Sequence, residues 1–234
     1  MCTVTFIPKS GTNFILTSNR DEAPTRMTLS PQRYTVNDTK LLFPKDTLAG
    51  GTWIGVSEHN RLICLLNGGF APHKRKSSYR LSRGVIVTDL LTAKDVVSEI
   101  KAYDFNGIEP FTIILVDWSK QLQLYELVWN GVEAHFKEKP LAPHIWSSSL
   151  LYSEGVKNKR KKWFSEFIFN ALNPSETEIL NFHKTAGEGD LHTNLVMDRD
   201  FVKTKSMTQV SHTTHGTTMR YEDLETQQIT TTTI

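Results

Sequence analysis

The chain has 234 residues, 38% of them hydrophobic and 22% charged, with 27 Lys and Arg against 25 Asp and Glu for a formal net charge of +2. That length buries a continuous core, and no Pro/Ser-rich linker, repeat or heptad run divides it, so a single domain over residues 1–234 is expected. The near-neutral balance implies neither nucleic acid nor membrane as a partner through bulk charge, and with only two cysteines no disulfide framework is expected.

Cys2 follows Met1, and an initiator methionine before so small a side chain is the kind that aminopeptidases remove. Removal would leave a thiol and a free α-amine on one residue, with reference pKa values near 8.5 and about 7.7–8.0. A nucleophile would then carry its own base, which is the logic of N-terminal nucleophile hydrolases. The bland reading of Cys2 alone is chance. The start has no n-region or h-region, and apolar stretches such as 111–116 are far too short to span a bilayer, so no membrane insertion and a cytoplasmic location are expected.

The β-rich runs at 2–7 and 13–18 flank Pro8-Lys-Ser-Gly-Thr12 and read as a hairpin. A loop centred near Ser10 makes paired positions sum to about 20, which sets Cys2 opposite Ser18. Asn19-Arg20-Asp21-Glu22 then arrives at the strand end that begins with the thiol. A carboxylate there can orient an amine and hold a proton, while Arg20 can neutralise Asp21 or meet a substrate anion. The same residues also suit a strand-end turn with an Asn19 or Asp21 cap and a local ion pair.

A second hairpin is expected from Thr52–Val56 and Leu62–Leu66 around Ser57–Arg61, joining Gly50-Gly51 to Asn67-Gly68-Gly69 at its far end. Glycines let backbone approach a ligand closely, and the Asn67 amide is a suitable neutral oxyanion donor. A left-handed turn at Asn67 is the plain alternative. Cys64 falls in an apolar strand and reads as core. The basic run His73-Lys-Arg-Lys76, with Arg80 and Arg83 soon after, can meet a carboxylate, phosphate or coenzyme A-like group.

Helices are expected over 82–92 and 93–105, with Thr92 capping the second, then strands at 111–117, 121–129, 132–137 and 145–148. A long helix over 154–172, a shorter one over 175–183 introduced by Asn173-Pro174, and strands at 203–211 and 218–224 complete the pattern. The Lys157–Lys162 run reads as a solvated helix face, and the Thr-rich end at 227–234 as frayed. His183, His192, His212 and His215 lack metal-ligand spacing, so structural or solvent roles and no metal or cofactor are expected. Periodicity points to an α+β fold.

Met1-Cys2-Thr3, Asn19-Arg20-Asp21-Glu22 and Ala49-Gly-Gly-Thr-Trp-Ile-Gly-Val56 resemble the NRDE family, also called the transport and Golgi organisation family. That family is similar in motif layout to the penicillin V acylases and conjugated bile acid hydrolases, which cleave non-peptide amide bonds. The resemblance implies a four-layer α/β/β/α sandwich of two antiparallel sheets. It implies Cys2 as nucleophile, Asp21 as partner of its amine and Asn67 as oxyanion donor, with Asn19 and Arg20 completing the motif.

Three positions depart from the acylase pattern. Ser18 stands where those enzymes place an arginine, Ser148 where a second oxyanion asparagine is found, and Lys205 where a later arginine is found. With Gly51 and Trp53, Ser148 and Lys205 are the candidate substrate contacts. The expected function is hydrolysis of a linear or small-molecule amide through a Cys2 acyl-enzyme. The alternative is a non-catalytic binding or trafficking protein for a hydrophobic ligand such as heme or acyl-coenzyme A, and the blandest reading is a scaffold whose polar cluster only closes a turn. Oligomeric state is not legible.

Overall fold

The structure, a computed structural model, describes residues 2–234, and these divide into two compact units. The first comprises 2–26 and 142–233, the second 27–141. The expectation about Met1 lies outside the described residues. The α+β class expected from periodicity is observed: each unit is built on an antiparallel sheet with two helices packed against it.

In chain order the elements are β1 (Cys2–Pro8), β2 (Phe14–Glu22), β3 (Thr28–Val36), β4 (Thr39–Asp46), β5 (Ile54–Ser57) and β6 (Arg61–Asn67). Then follow α1 (Arg83–Thr92), α2 (Val96–Ala102), β7 (Phe111–Asp117), β8 (Gln123–Trp129), β9 (Ala134–Lys139) and β10 (His144–Ser147). The chain continues with α3 (Glu154–Ala171), α4 (Glu176–Thr185), β11 (Lys203–Thr213), β12 (Gly216–Asp223) and β13 (Ile229–Thr233). The first unit's sheet runs β10-β1-β2-β11-β12-β13 and the second unit's runs β3-β4-β5-β6-β7-β8-β9.

The second unit is a meander whose inner strands carry apolar residues on both faces. Ile63, Leu65, Phe111, Ile113 and Leu115 meet Ile86, Val87, Leu90 and Leu91 of α1 and Val96 and Ile100 of α2. Period-two alternation leaves Leu62, Cys64, Ile114 and Val116 on the other face, also buried. Cys64 is therefore core, and both cysteines are free thiols.

The first unit brings the chain's two ends together. β2 lies between β1 and β11, and its face with Ile15 joins Ile7, Phe164 of α3, Ile179 and Phe182 of α4, and Leu195 in one apolar cluster. Ser175 and Glu178 form a reciprocal capping box that starts α4, satisfying backbone donors that the helix itself leaves unpaired. No helix among the described residues is long and apolar enough to cross a membrane.

Several expectations are corrected. The first hairpin turns about Gly11, which takes the left-handed conformation at φ +64°, so pairs sum to 22 and Cys2 lies opposite Arg20, not Ser18. A shift of two positions changes the partner and preserves the face. Asp95 caps α2 by accepting from the Val97 and Ser98 N–H groups, whereas Thr92 ends α1 and bonds back to the Asp89 carbonyl. β3 and β4, joined by Asn37 and Asp38 at positive φ, have no counterpart among the expected elements. Residues 229–233 form an ordered strand beside β12 rather than a frayed end.

The Lys157–Lys162 run is not uniformly solvated. Arg160 is fully buried, lies over the Tyr152 ring at 3.7 Å, and donates to the Thr3 hydroxyl and to the carbonyls of Thr193 and Asn194. Removing it orphans those acceptors and leaves a cavity. Arg160→Ala is expected to cost about 3–5 kcal/mol and Lys161→Ala less than about 0.5 kcal/mol, read from urea unfolding midpoints. Equal costs would contradict the buried placement.

Candidate functional site

The two faces of β2 sort the polar motif. Asn19 and Asp21 share the helix-covered face with Ile15 and Thr17, while Ser18 and Arg20 share the opposite face with Leu16. Cys2, Val4 and Phe6 lie on that opposite face through their pairing with Arg20, Ser18 and Leu16. The thiol and the Arg20 side chain are thus cross-strand neighbours on one side of the sheet. Asp21 is one position past the Cys2 pair, on the other side.

Asp21 has no exposed surface and is held from two directions. The Tyr152 hydroxyl donates to Oδ2 at 2.5 Å, and the Thr204 hydroxyl on β11 donates to Oδ1 at 2.7 Å. Burial pushes the Asp21 carboxyl up from the usual carboxylate range, against the pull of Arg160 and of these two donors. Burial also pushes the Tyr152 phenol well up, with the Asp21 charge adding to it, so Tyr152 keeps the proton it donates.

Asn19 is fixed by a second set of contacts. Its Nδ2 donates to the carbonyls of His183 and Leu195 at 3.1 and 3.0 Å, which turns Oδ1 toward His183 Nδ1 at 2.9 Å. Nδ1 therefore carries the proton, and Nε2 accepts from the Thr5 hydroxyl at 2.8 Å. Burial lowers the His183 pKa to about 3, with Arg160 contributing, in keeping with a neutral ring. Both ring nitrogens are thus engaged within the buried network.

Burial also raises the Cys2 thiol pKa; the Asp21 charge acts in the same direction, while Arg20 and the Ser18 hydroxyl favour the thiolate. The Cys2 side chain is 1% exposed. A thiol in that setting is a weak nucleophile unless a base takes its proton.

Ser148 donates its backbone N–H to the Cys2 carbonyl at 3.0 Å, and its own carbonyl accepts from Tyr152 N–H at 3.1 Å. It thereby links the first residue of β1 to the tyrosine that holds Asp21. Lys205 sits at a β-bulge between Thr204 and Ser206, and its ammonium binds the Pro24 carbonyl at 2.6 Å and the Glu225 carboxylate. It anchors the chain leaving β2.

Gly51, Trp53 and Asn67 belong to the second unit. Trp53 is buried just before β5, and a Cβ on Gly51 would stand 2.9 Å from the Gly84 backbone carbon, so close approach of α1 requires the glycine. Asn67 ends β6 opposite Phe111 and is followed by Gly68 at φ +92°, whose N–H bonds the Pro110 carbonyl at 3.0 Å. The left-handed residue is thus Gly68 rather than Asn67. His73, Arg75 and Arg83 of the basic stretch gather on Glu109, with Arg83 at 3.1 Å.

Among the candidates, Cys2, Asn19, Arg20, Asp21, Ser148 and Lys205 are brought together in the first unit. Tyr152, Arg160 and Thr204 escape sequence reasoning. Arg160 had a usable signal, since it lies on the α3 face with Val156, Phe164 and Phe167 at helical spacing. Thr204 and Tyr152 had none. Among the described residues there is no group of three or more metal-binding side chains.

The neutral His183 makes stability depend on pH in a definite direction. Its folded-state pKa lies below the unfolded value of about 6.5, so the unfolded chain binds the extra proton first. Stability from this residue is complete above pH about 6.5 and is lost as pH falls toward about 3, by up to about 1.4 kcal/mol per pH unit. Asp21, raised in the fold, acts with opposite sign as pH rises above the ordinary carboxylate range, in wild type and variant alike. His183→Gln should flatten the acid limb of stability against pH; an unchanged limb would show that the ring protonates in the folded state.

Solved structures similar to this chain include proteins titled as enzymes. The chain superposes on a penicillin V acylase from Agrobacterium tumefaciens with a TM-score of 0.61 and 10% identity, covering 100% of this chain and 86% of that one. For the C2A variant of conjugated bile acid hydrolase from Clostridium perfringens the values are 0.62 and 9%, covering 100% and 92%. For the Caenorhabditis elegans ortholog of N-acylethanolamine-hydrolyzing acid amidase they are 0.62 and 12%, covering 89% and 92%. Such identities show a shared fold, the N-terminal nucleophile hydrolase-like fold expected from the motifs. No curated protein sequence matches the chain. The family model described as Transport and Golgi organisation 2 matches residues 1–224, and the chain belongs to that family.

Proposed function

We propose that this protein is a cysteine N-terminal nucleophile hydrolase that cleaves a non-peptide amide bond, once Met1 is removed. The observation that carries the reading is the juxtaposition at the head of β1. Cys2 stands directly across from Arg20, and the adjacent Asp21 carboxylate is fixed by two hydroxyl donors. The solved relatives, titled as an acylase, a bile acid hydrolase and an acid amidase, support the same chemistry.

In this reading the Cys2 α-amine takes the thiol proton, and sulfur attacks the amide carbonyl. The tetrahedral intermediate collapses to a thioester as the proton passes to the departing amine. Water, deprotonated by the same α-amine, then releases the acid and restores the thiol. Asp21 orients the amine and Arg20 offsets negative charge beside the sulfur. Ser148 holds the Cys2 backbone in place, and Lys205 holds the segment after β2.

A second reading, ligand carriage without turnover, is favoured by the near-complete burial of the thiol and by the engagement of Lys205 with Glu225. Intact-mass measurement before and after iodoacetamide treatment, with peptide mapping, separates the two. The hydrolase reading expects loss of Met1 and labelling of Cys2 over Cys64, absent in Cys2→Ala. It expects Asp21→Asn to slow the labelling by about tenfold or more. A retained methionine or an unlabelled Cys2 sinks it and leaves the carrier.

A further inference from the structure

In the first unit α3 and α4 form an antiparallel helical hairpin joined by residues 172–175, with Phe167 against Phe182 and Lys159 against Glu188. An open groove of about 410 Å³ lies between the two helices. Phe167 and Phe182, stacked with ring centroids 4.7 Å apart, line it together with Ala186, Asn181 and Thr185.

The same hairpin displays two large apolar side chains to solvent. Phe169 is 81% exposed and Leu172 89%, three positions apart on the face turned away from the buried Arg160 and Phe164. A single exposed apolar residue is ordinary. Leu172 is not, because its φ of +21° falls where glycine is the usual helix-ending residue and a side chain is strained. A leucine there strains the backbone and adds nothing to the core of its own chain. Lys9 fixes the display by donating to the Asn173 side chain at 2.5 Å and to the Pro174 carbonyl at 2.6 Å.

Charge is segregated along this surface. Lys161 and Lys162 are exposed about two turns, or about 10 Å, up the helix from Phe169, and Glu176 is exposed just beyond the hairpin tip. Lys162 reaches Glu166 at 3.9 Å, and an ion pair so open to solvent contributes little.

We propose that the α3–α4 hairpin is the interface of a twofold homodimer, in which Phe169 and Leu172 of each chain pack into the Phe167–Phe182 groove of the other. A twofold contact requires that one surface carry both complementary halves, and this surface has the apolar projection, the groove, the basic end and the acidic end. Crossing α3 antiparallel over its copy near Phe169 brings Lys161 and Lys162 of each chain toward Glu176 of the other. An anionic lipid surface fits less well, since Glu166 and Glu176 stand among the lysines and the apolar pair.

Sedimentation equilibrium over a range of protein concentrations tests the proposal. The wild type is expected to reach twice its chain mass of 26.6 kDa at micromolar concentration. Phe169→Glu is expected to weaken association by about a hundredfold or more. Leu172→Gly is expected to weaken it by about tenfold while the unfolding midpoint of the dilute monomer does not fall, because glycine suits that backbone. The second variant thus separates a lost contact from a lost fold. Lys161→Glu/Lys162→Glu should be monomeric, and adding Glu176→Lys should restore the dimer.

A wild type that stays monomeric, a dimer indifferent to Phe169→Glu and Leu172→Gly, or a charge exchange that restores nothing would overturn the proposal. So would a monomer that binds phosphatidylserine vesicles through Phe169, which would assign the apolar pair to a lipid surface.

Discussion

A carboxylate with no exposed surface persists in a fold only where donors and counter-charge replace the water it has lost, and Asp21 has both. Tyr152 and Thr204 supply the two hydrogen bonds, and Arg160 supplies the positive charge while lying over the Tyr152 ring. Each donor comes from a different part of the chain: the segment after β10, the start of β11, and α3. Satisfying one side chain therefore requires that β1, β2, β11 and α3 all be in place, which couples local chemistry to the assembly of the unit.

The alternation of β2 then divides the labour. One face sends Asn19 and Asp21 into the helix-covered side, where His183, Thr5 and Arg160 complete a network of buried polar groups. Such networks are worth having only when their members are satisfied, and here the Asn19 amide and the neutral His183 ring meet their partners in a single consistent tautomer. The other face sends Ser18 and Arg20 toward Cys2. A side facing the helices and a side carrying Cys2 are thus generated from four consecutive residues by the period of a β-strand.

Much of this was legible. Alternating and continuous apolar runs located the first hairpin, the β5–β6 pair, β7, β8 and all four helices, because their burial pattern follows directly from side-chain spacing. β3 was missed because it is polar, half-exposed and interrupted by Pro31; its half-exposed edge position makes such a sequence tolerable. β13 was missed because a threonine run has no apolar face to betray it, and its order comes from pairing with β12. Arg160 was read with its basic neighbours since composition does not say which turn of a helix meets the sheet.

The sequence alone determined most of the elements, the position of Cys2, the Asn19-Arg20-Asp21-Glu22 cluster and the hairpin that carries it back, because these are consequences of short-range spacing. Whether Arg20 stood near the thiol was decided by a two-residue register set at Gly11. Which residues satisfy Asp21 was decided by contacts spanning 131 and 183 positions, to Tyr152 and Thr204. No periodicity reaches that far: a buried charge takes its partners from whatever the packed chain brings within hydrogen-bond distance, and only the tertiary structure makes that selection.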